Sequence, residues 1–171
     1  MLEPVRSSVL FRGRWVQVDE EEWPDAGTWE VFKPRDAAAV LPVTPDGDVL
    51  LIRQFRAGAR SLIEEIPAGL LDVEGEDPPS CAARELFEET GFRHTTLEPL
   101  VALHLSPGSS SELVHLFVAR TGTDPERAPE EGIEVIRRSF ERAVADAHAG
   151  RIDDAKTVLA LLLADARMAA G

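Results

Sequence analysis

The first third of the chain alternates apolar and polar residues as strands do. Ser8–Arg12, Trp15–Asp19 and Trp29–Lys33 carry the alternation, broken at Gly13 and at Pro24-Asp25-Ala26-Gly27. They predict a short antiparallel meander. Ala37–Thr44 and Val49–Phe55 follow, joined by Pro45-Asp46-Gly47, a strong hairpin signal. Ala37–Thr44 is nearly all apolar, as a strand buried on both faces would be. Leu62–Ile66 predicts a short strand running into Pro67-Ala68-Gly69. A helix is predicted over Pro78–Thr90: Asp77 caps it, prolines occupy the first turn, and Gly91 stops it. Strands return at Leu100–Leu105 and Leu113–Arg120, on either side of the loop Ser106–Glu112. Thr121–Gly132 is a loop rich in Pro, Gly and acid, and Ile133–Arg138 a further strand. Ser139 caps a helix to about His148 with Gly150 as its stop, and Asp153 or Asp154 caps a last helix to about Ala169. Strands and helices in this mixed order predict an α/β (α+β) sandwich rather than a doubly wound sheet.

Composition narrows the class. A chain of 171 residues is most simply one domain with a proper core. No N-terminal apolar run has the form of a signal sequence, and no segment could span a bilayer. Val158–Leu163 is too short and belongs to an amphipathic helix. The single cysteine, Cys81, excludes an internal disulfide, reads as a packing residue, and fits a reducing cytoplasm. A net charge of −13 argues against nucleic acid or an anionic membrane as partner. It also means that an anionic substrate needs a bound cation and local arginines.

One helix face stands out. Glu85, Glu88 and Glu89 fall at i, i+3 and i+4 and share a side of the helix Pro78–Thr90. Like charges at that spacing repel, and carboxylates in a last turn meet the negative end of the helix dipole. A solvated acidic face is the ordinary reading of such a cluster. A hard divalent cation is the other. Mg²⁺ prefers carboxylate oxygens, neutralises phosphate charge and activates a bound water, so the face reads as a site for pyrophosphate hydrolysis.

The flanking residues favour the second reading. Glu76, seven residues, then Arg84-Glu85-Leu86-Phe87-Glu88-Glu89-Thr90-Gly91-Phe92 resembles the signature of the Nudix hydrolases. One departure lies upstream, where six residues instead of five separate Gly69 from Glu76. The extra residue falls in the turn-like Leu71-Asp72-Val73-Glu74-Gly75 and leaves the helix register untouched. Ser106-Pro107-Gly108, Arg53-Gln54-Phe55-Arg56, Glu65-Ile66-Pro67-Ala68-Gly69-Leu70-Leu71-Asp72 and Asp154-Ala155-Lys156-Thr157 are similar to the ADP-ribose pyrophosphatase subgroup. The resemblance implies a mixed sheet between helices. Residues 1–35 would form an extra antiparallel sheet used in dimerisation, and residues 36–171 the hydrolase domain.

The resemblance also implies a reaction: hydrolysis of ADP-ribose to AMP and ribose 5-phosphate, with Mg²⁺ or Mn²⁺. Glu85, Glu88, Glu89 and the backbone carbonyl of Ala68 would hold metal. Arg84 would orient a carboxylate and Glu76 brace the loop. Glu131, or Glu130 beside it, would be the general base, from an acidic loop in which position 129 is a proline, and Glu88 would share in catalysis. Arg56 would meet phosphate, Glu65 and Glu112 the ribose or adenine side, Pro107 the substrate loop, and one of the three tryptophans, Trp15 ahead of Trp23 and Trp29, the adenine ring. Taken singly, Arg53 and Arg56 read as solvated strand ends, Glu64 and Glu65 as loop flanks, the four histidines as structural or surface residues, and Trp15, Trp23 and Trp29 as core or interface aromatics. Two rival functions remain: a Nudix hydrolase of another or several nucleoside-diphosphate sugars, and a non-catalytic ADP-ribose-sensing module. An intact glutamate helix and the absence of a basic DNA-binding segment argue against the second.

Overall fold

The computed structural model describes residues 2–14 and 16–170. Strands β1 (Arg6–Arg12), β2 (Gln17–Trp23) and β3 (Gly27–Phe32) form a three-stranded antiparallel sheet in the order β1-β2-β3. The second strand runs later than its alternation predicts, Gln17–Trp23 in place of Trp15–Asp19. The β1–β2 turn sets this: the Gly13 amide bonds the Val16 carbonyl at 2.7 Å and Arg12 pairs with Gln17. This sheet is tied to the rest through the end of β3, where the Phe32 amide donates to Ser109 and its carbonyl accepts from Ser111.

The remaining strands build a separate seven-stranded mixed sheet: β4 (Ala37–Val43), β5 (Asp48–Arg56), β6 (Ser61–Glu65), β7 (Ala68–Leu70), β8 (His94–Leu103), β9 (Val114–Thr121) and β10 (Glu134–Ser139). β4 is central, as its apolar run predicts. One edge pairs parallel with β9 along its length, Ala37 opposite Val114 through Val43 opposite Arg120. The other edge is shared. β5 meets it only at Val43–Val49, and β7 covers Ala37–Ala39. Past that point β5 pairs with β6 instead, from Ile52–Glu65 to Arg56–Ser61. The divergence of β5 from β7 opens the floor on which the candidate site is built.

Period two sends β4 side chains to two cores. Ala39, Leu41 and Val43 pack with α2 (Phe140–His148) and α3 (Ala155–Ala170), against Phe140, Ala143 and Leu161. Ala38 and Val40 pack with α1 (Pro78–Thr90), against Cys81, Ala82 and Leu86, with Phe92 and Phe117 closing the layer. The sheet thus lies between helices. α1 has the bounds its signals predict. The Asp77 side chain accepts from the Ser80 amide at 2.9 Å, prolines occupy the first turn, and Gly91 closes the helix at φ 79°.

Two elements differ from the pattern. β8 begins at His94, six residues before Leu100. Glu98-Pro99 hides it in the sequence, and an edge strand with bulges either side of that stretch accommodates the proline. β7 has no pattern of its own, being three residues held by β4. No helix among the described residues is long and apolar enough to cross a membrane.

Candidate active site

The three glutamates of α1 are not equivalent. Glu89 is buried, 6% exposed, between the diverging strands. Its Oε2 accepts from the Ala68 amide of β7 at 2.9 Å, and its Oε1 from the Gln54 side chain of β5 at 3.4 Å. Burial pushes its pKa up to about 7, with the Ala68 hydrogen bond opposing. Burial raises Glu85 as well, with Arg84 opposing. Glu88 is the outermost of the three.

Arg84 organises two of them. Its Nη1 reaches Glu85 at 2.5 Å and Glu88 at 3.0 Å, and its Nε and Nη2 grip Glu76 at 2.8 and 2.9 Å. The Arg84 hydrogen bond holds Glu76 below the usual carboxylate range. Glu76 therefore ties the loop before α1 to the helix. Gly69 supplies the space: a Cβ there would fall inside the Glu85 carboxylate. Among the described residues, no three histidine, cysteine, aspartate or glutamate side chains converge on a point where a metal ion could be held. The arrangement is an open row of carboxylates along β7, with Arg84 on its outer side.

Beside this row lies a cavity of about 310 Å³, lined by Arg56, Ala68, Gly69, Glu112, Asp154 and Lys156 among others. Arg56 leaves the end of β5 and bonds Glu65 at 2.6 Å. Burial works against its charge, yet Glu65, with Glu89 and Asp154 beyond it, outweighs burial and raises its pKa. Glu65 is 1% exposed and also takes an ion pair from Lys156, which holds Asp154 at 2.9 Å. Asp154 caps α3 by accepting from the Thr157 amide, and the Thr157 hydroxyl receives the Ile66 amide at 2.8 Å. Glu112 is half-buried, and burial raises its pKa while Lys156 opposes.

The loop 104–112 gives a wall to this cavity through Leu105 and Glu112 and to a second through His104, Pro107, Ser110 and Ser111. The second, about 680 Å³, is backed by Trp23, Trp29 and Lys33 of the N-terminal region. The acidic loop 122–133 lies elsewhere, on the C-terminal end of α1. The Glu126 amide bonds Gly91 at 2.8 Å, the Glu130 amide bonds the Glu88 carbonyl at 3.0 Å, and the Glu130 and Glu131 side chains are exposed.

The structure thus brings together Ala68, Glu85, Glu89, Arg56, Glu65 and Glu112. Pro107 stands in the neighbouring cavity, and Glu130 and Glu131 at the helix end near Glu88. Trp15 lies outside the described residues. Arg56 and Glu65 are partners across a hairpin rather than solvated ends, and Arg53 likewise bonds Glu64 at 2.5 Å. Sequence reasoning gave Lys156 and Gln54 no site role, and named Trp29 only as one of three tryptophans of which one, Trp15 by preference, would stack on adenine. Lys156 did leave a signal. A lysine in the first turn of a helix opposes the dipole and needs a carboxylate to hold it there.

Residues 33–161 match the NUDIX domain family. The methanol dehydrogenase activator of Bacillus methanolicus is 35% identical over 92% of this chain and 89% of its own. The ADP-ribose pyrophosphatase of Bacillus subtilis is 36% identical over 89% of this chain and 86% of its own. A GDP-mannose pyrophosphatase of Yersinia enterocolitica is 33% identical over 94% of this chain and 93% of its own. With that breadth of match, and the signature intact on α1, the chain belongs to the Nudix family and is a Nudix hydrolase.

Proposed function

We propose that the protein hydrolyses the diphosphate bond of a nucleoside-diphosphate sugar, with ADP-ribose as substrate and AMP and ribose 5-phosphate as products. One observation carries this reading. A single loop, 104–112, walls both the cavity that holds Arg56 and Lys156 beside the carboxylates and the cavity backed by Trp23 and Trp29. An elongated substrate with anionic phosphates and a flat base at one end matches two such cavities. Relatives named as ADP-ribose and GDP-mannose pyrophosphatases support the class. They also favour a second reading, in which several nucleoside-diphosphate sugars are accepted.

Glu85, Glu88, Glu89 and the Ala68 carbonyl would hold Mg²⁺ or Mn²⁺. The donor set fits. Glu89 is buried without a direct cationic partner among the described residues, and the open row at Gly69 suits an ion that keeps waters and shares phosphate oxygens rather than one needing a full protein cage. Bound there, the ion would polarise the phosphoryl oxygens and lower the pKa of the attacking water. Arg56 and Lys156 offer positive charge to the phosphates, and Glu65 fixes both. Glu112 accepts from ribose hydroxyls. Glu131 or Glu130 takes the proton of the water, and Glu88 sits between that loop and the carboxylate row. Trp29, on the wall beside Pro107, takes the stacking role expected of Trp15. Residues 1–35 serve a homodimer: Val9, Leu10 and Phe11 are all about half exposed on their sheet, and a second copy would cover them. The expected location is the cytoplasm, with no nucleic-acid or membrane partner.

The test is product analysis with ADP-ribose, ADP-glucose and GDP-mannose side by side, with and without Mg²⁺. The reading requires AMP and ribose 5-phosphate from ADP-ribose, dependent on the ion. Preference for GDP-mannose would replace it with the guanine reading, and equal turnover with the broad one.

A further inference from the structure

The outer side of α1 carries an arrangement that the site does not explain. Phe87 points away from the core, yet two guanidinium groups lie over its ring. Arg93 Cζ stands 4.0 Å and Arg127 Cζ 5.0 Å from the ring centre. Arg93 Nε also bonds Glu126 at 2.8 Å, and Arg127 Nη2 donates to the Glu88 carbonyl at 3.2 Å. That carbonyl receives the Glu130 amide as well. A helix end leaves its last carbonyls without partners, and here the acidic loop supplies the donors. Gly91 is what allows the approach: any Cβ would collide with the Arg127 carbonyl. Ala128 and Pro129 are all that separate Arg127 from Glu130, and a turn closed by the Ile133 amide on the Glu130 carbonyl leads into β10.

We infer that Phe87, Arg93 and Arg127 form a clamp that docks the acidic loop on α1 and thereby places Glu130 and Glu131 relative to Glu88. The inference rests on the reading above, in which one of these two glutamates is the base. The clamp residues are positioning residues. Arg127 joins the loop to the helix through one hydrogen bond and one cation–π contact, and it meets the Glu88 backbone while the Glu88 carboxylate bonds Arg84, which also holds Glu85. Glu88 is thus the point where the loop and the carboxylate row share one residue.

The test uses the full chain with Arg127→Ala and Arg127→Lys. The Arg127→Ala protein should lower kcat for ADP-ribose roughly 10- to 100-fold, at a KM within about twofold of wild type, since remote misplacement of a reacting group acts on kcat. The lysine variant keeps a cation over Phe87 and should recover part of the loss. Amide exchange at Glu126 and Glu130 should accelerate about tenfold or more in Arg127→Ala, while the melting midpoint stays near wild type. In a Glu130→Gln/Glu131→Gln background, Arg127→Ala should cost nothing further. Unchanged exchange at both amides overturns the clamp whatever the activity. Faster exchange with unchanged kcat, or a loss fully additive with the glutamine pair, overturns its positioning role. Wild-type kcat in the glutamine pair alone sinks the base assignment and the clamp's catalytic role together, and exchange then reads the docking by itself.

Discussion

Glu89 and Asp146 are both little exposed, 6% and 5%, each near the C-terminal end of a helix, but Glu89 is covered by the body of the fold and Asp146 by arginine side chains that themselves reach solvent. They end in opposite states. Asp146 faces three arginines: Arg151 at 2.7 Å, Arg142 at 2.9 Å and Arg138 at 3.3 Å. The Arg151 hydrogen bond, helped by Arg142, holds it below the usual aspartate range. Glu89 has an amide on each oxygen and, among the described residues, no cation in direct contact, and burial carries it up to about 7 against the weaker pull of the Ala68 bond and Arg56. Low exposure therefore does not by itself set the charge of an acid: what covers it does, arginines for Asp146 and the apolar body of the fold for Glu89. Asp146 is completed inside the chain, whereas Glu89 is left one cation short, which is what a residue reserved for an external ion looks like.

The sharpest way to break this contrast is to neutralise each acid without changing its shape. Glu89→Gln should lower kcat by roughly a hundredfold or more while the metal-free protein melts at or above the wild-type temperature, because an uncompensated buried acid is gone. If Glu89→Gln turns over at the wild-type rate in saturating Mg²⁺, the assignment is wrong. Gly69→Ala comes next. Its Cβ must push the Glu85 carboxylate aside, so activity should fall about tenfold with the fold retained, measured as kcat beside a far-UV spectrum. Asp146→Asn should do the reverse of Glu89→Gln. It leaves three arginines without their shared anion, so the melting temperature should drop by roughly 5 °C or more while kcat stays at wild type. A stable Asp146→Asn protein would mean that the arginines relax into solvent and the contrast is shallower than it looks.

The sequence announced one half of this contrast and hid the other. Glu85, Glu88 and Glu89 broke local rules together on one helix, so they were legible, as were α1's caps and the buried run of β4. Asp146 broke none. Its partners Arg138, Arg142 and Arg151 come from β10, α2 and the loop beyond, and only Arg142 stands at a spacing that a helix pattern reveals. The Glu65–Lys156 pair, 91 positions apart, needs the sheet and α3 to meet before it exists. β7 and the start of β8 were invisible for a related reason. Three residues borrow their conformation from β4, and an edge strand tolerates the proline that local rules treat as a break. Local violations can be read from sequence, but long-range compensations cannot.

The smallest expected effect, a shift in melting temperature with pH and Mg²⁺, separates the two acids in solution without any mutation. Asp146 has a folded-state pKa below its unfolded value. Its contribution is present above about pH 4 and is lost as pH falls through the folded value. Glu89 has the opposite sign. Its folded value near 7 lies above the ordinary 4.5, so the folded chain holds a proton that the unfolded chain releases between those limits. Metal-free protein should therefore lose stability as pH rises from about 4.5 to 7 on this account, and stay level above. Mg²⁺ would have to displace that proton below pH 7 but not above it. The rise in melting temperature from millimolar Mg²⁺, at constant ionic strength, should be a few degrees at pH 8 and clearly smaller at pH 6. Glu89→Gln should flatten that pH dependence, while Asp146→Asn should leave it in place. An Mg²⁺ shift equal at both pH values would mean that the ion does not meet Glu89, and the open row along β7 would then have to bind it through Glu85 and Glu88 alone.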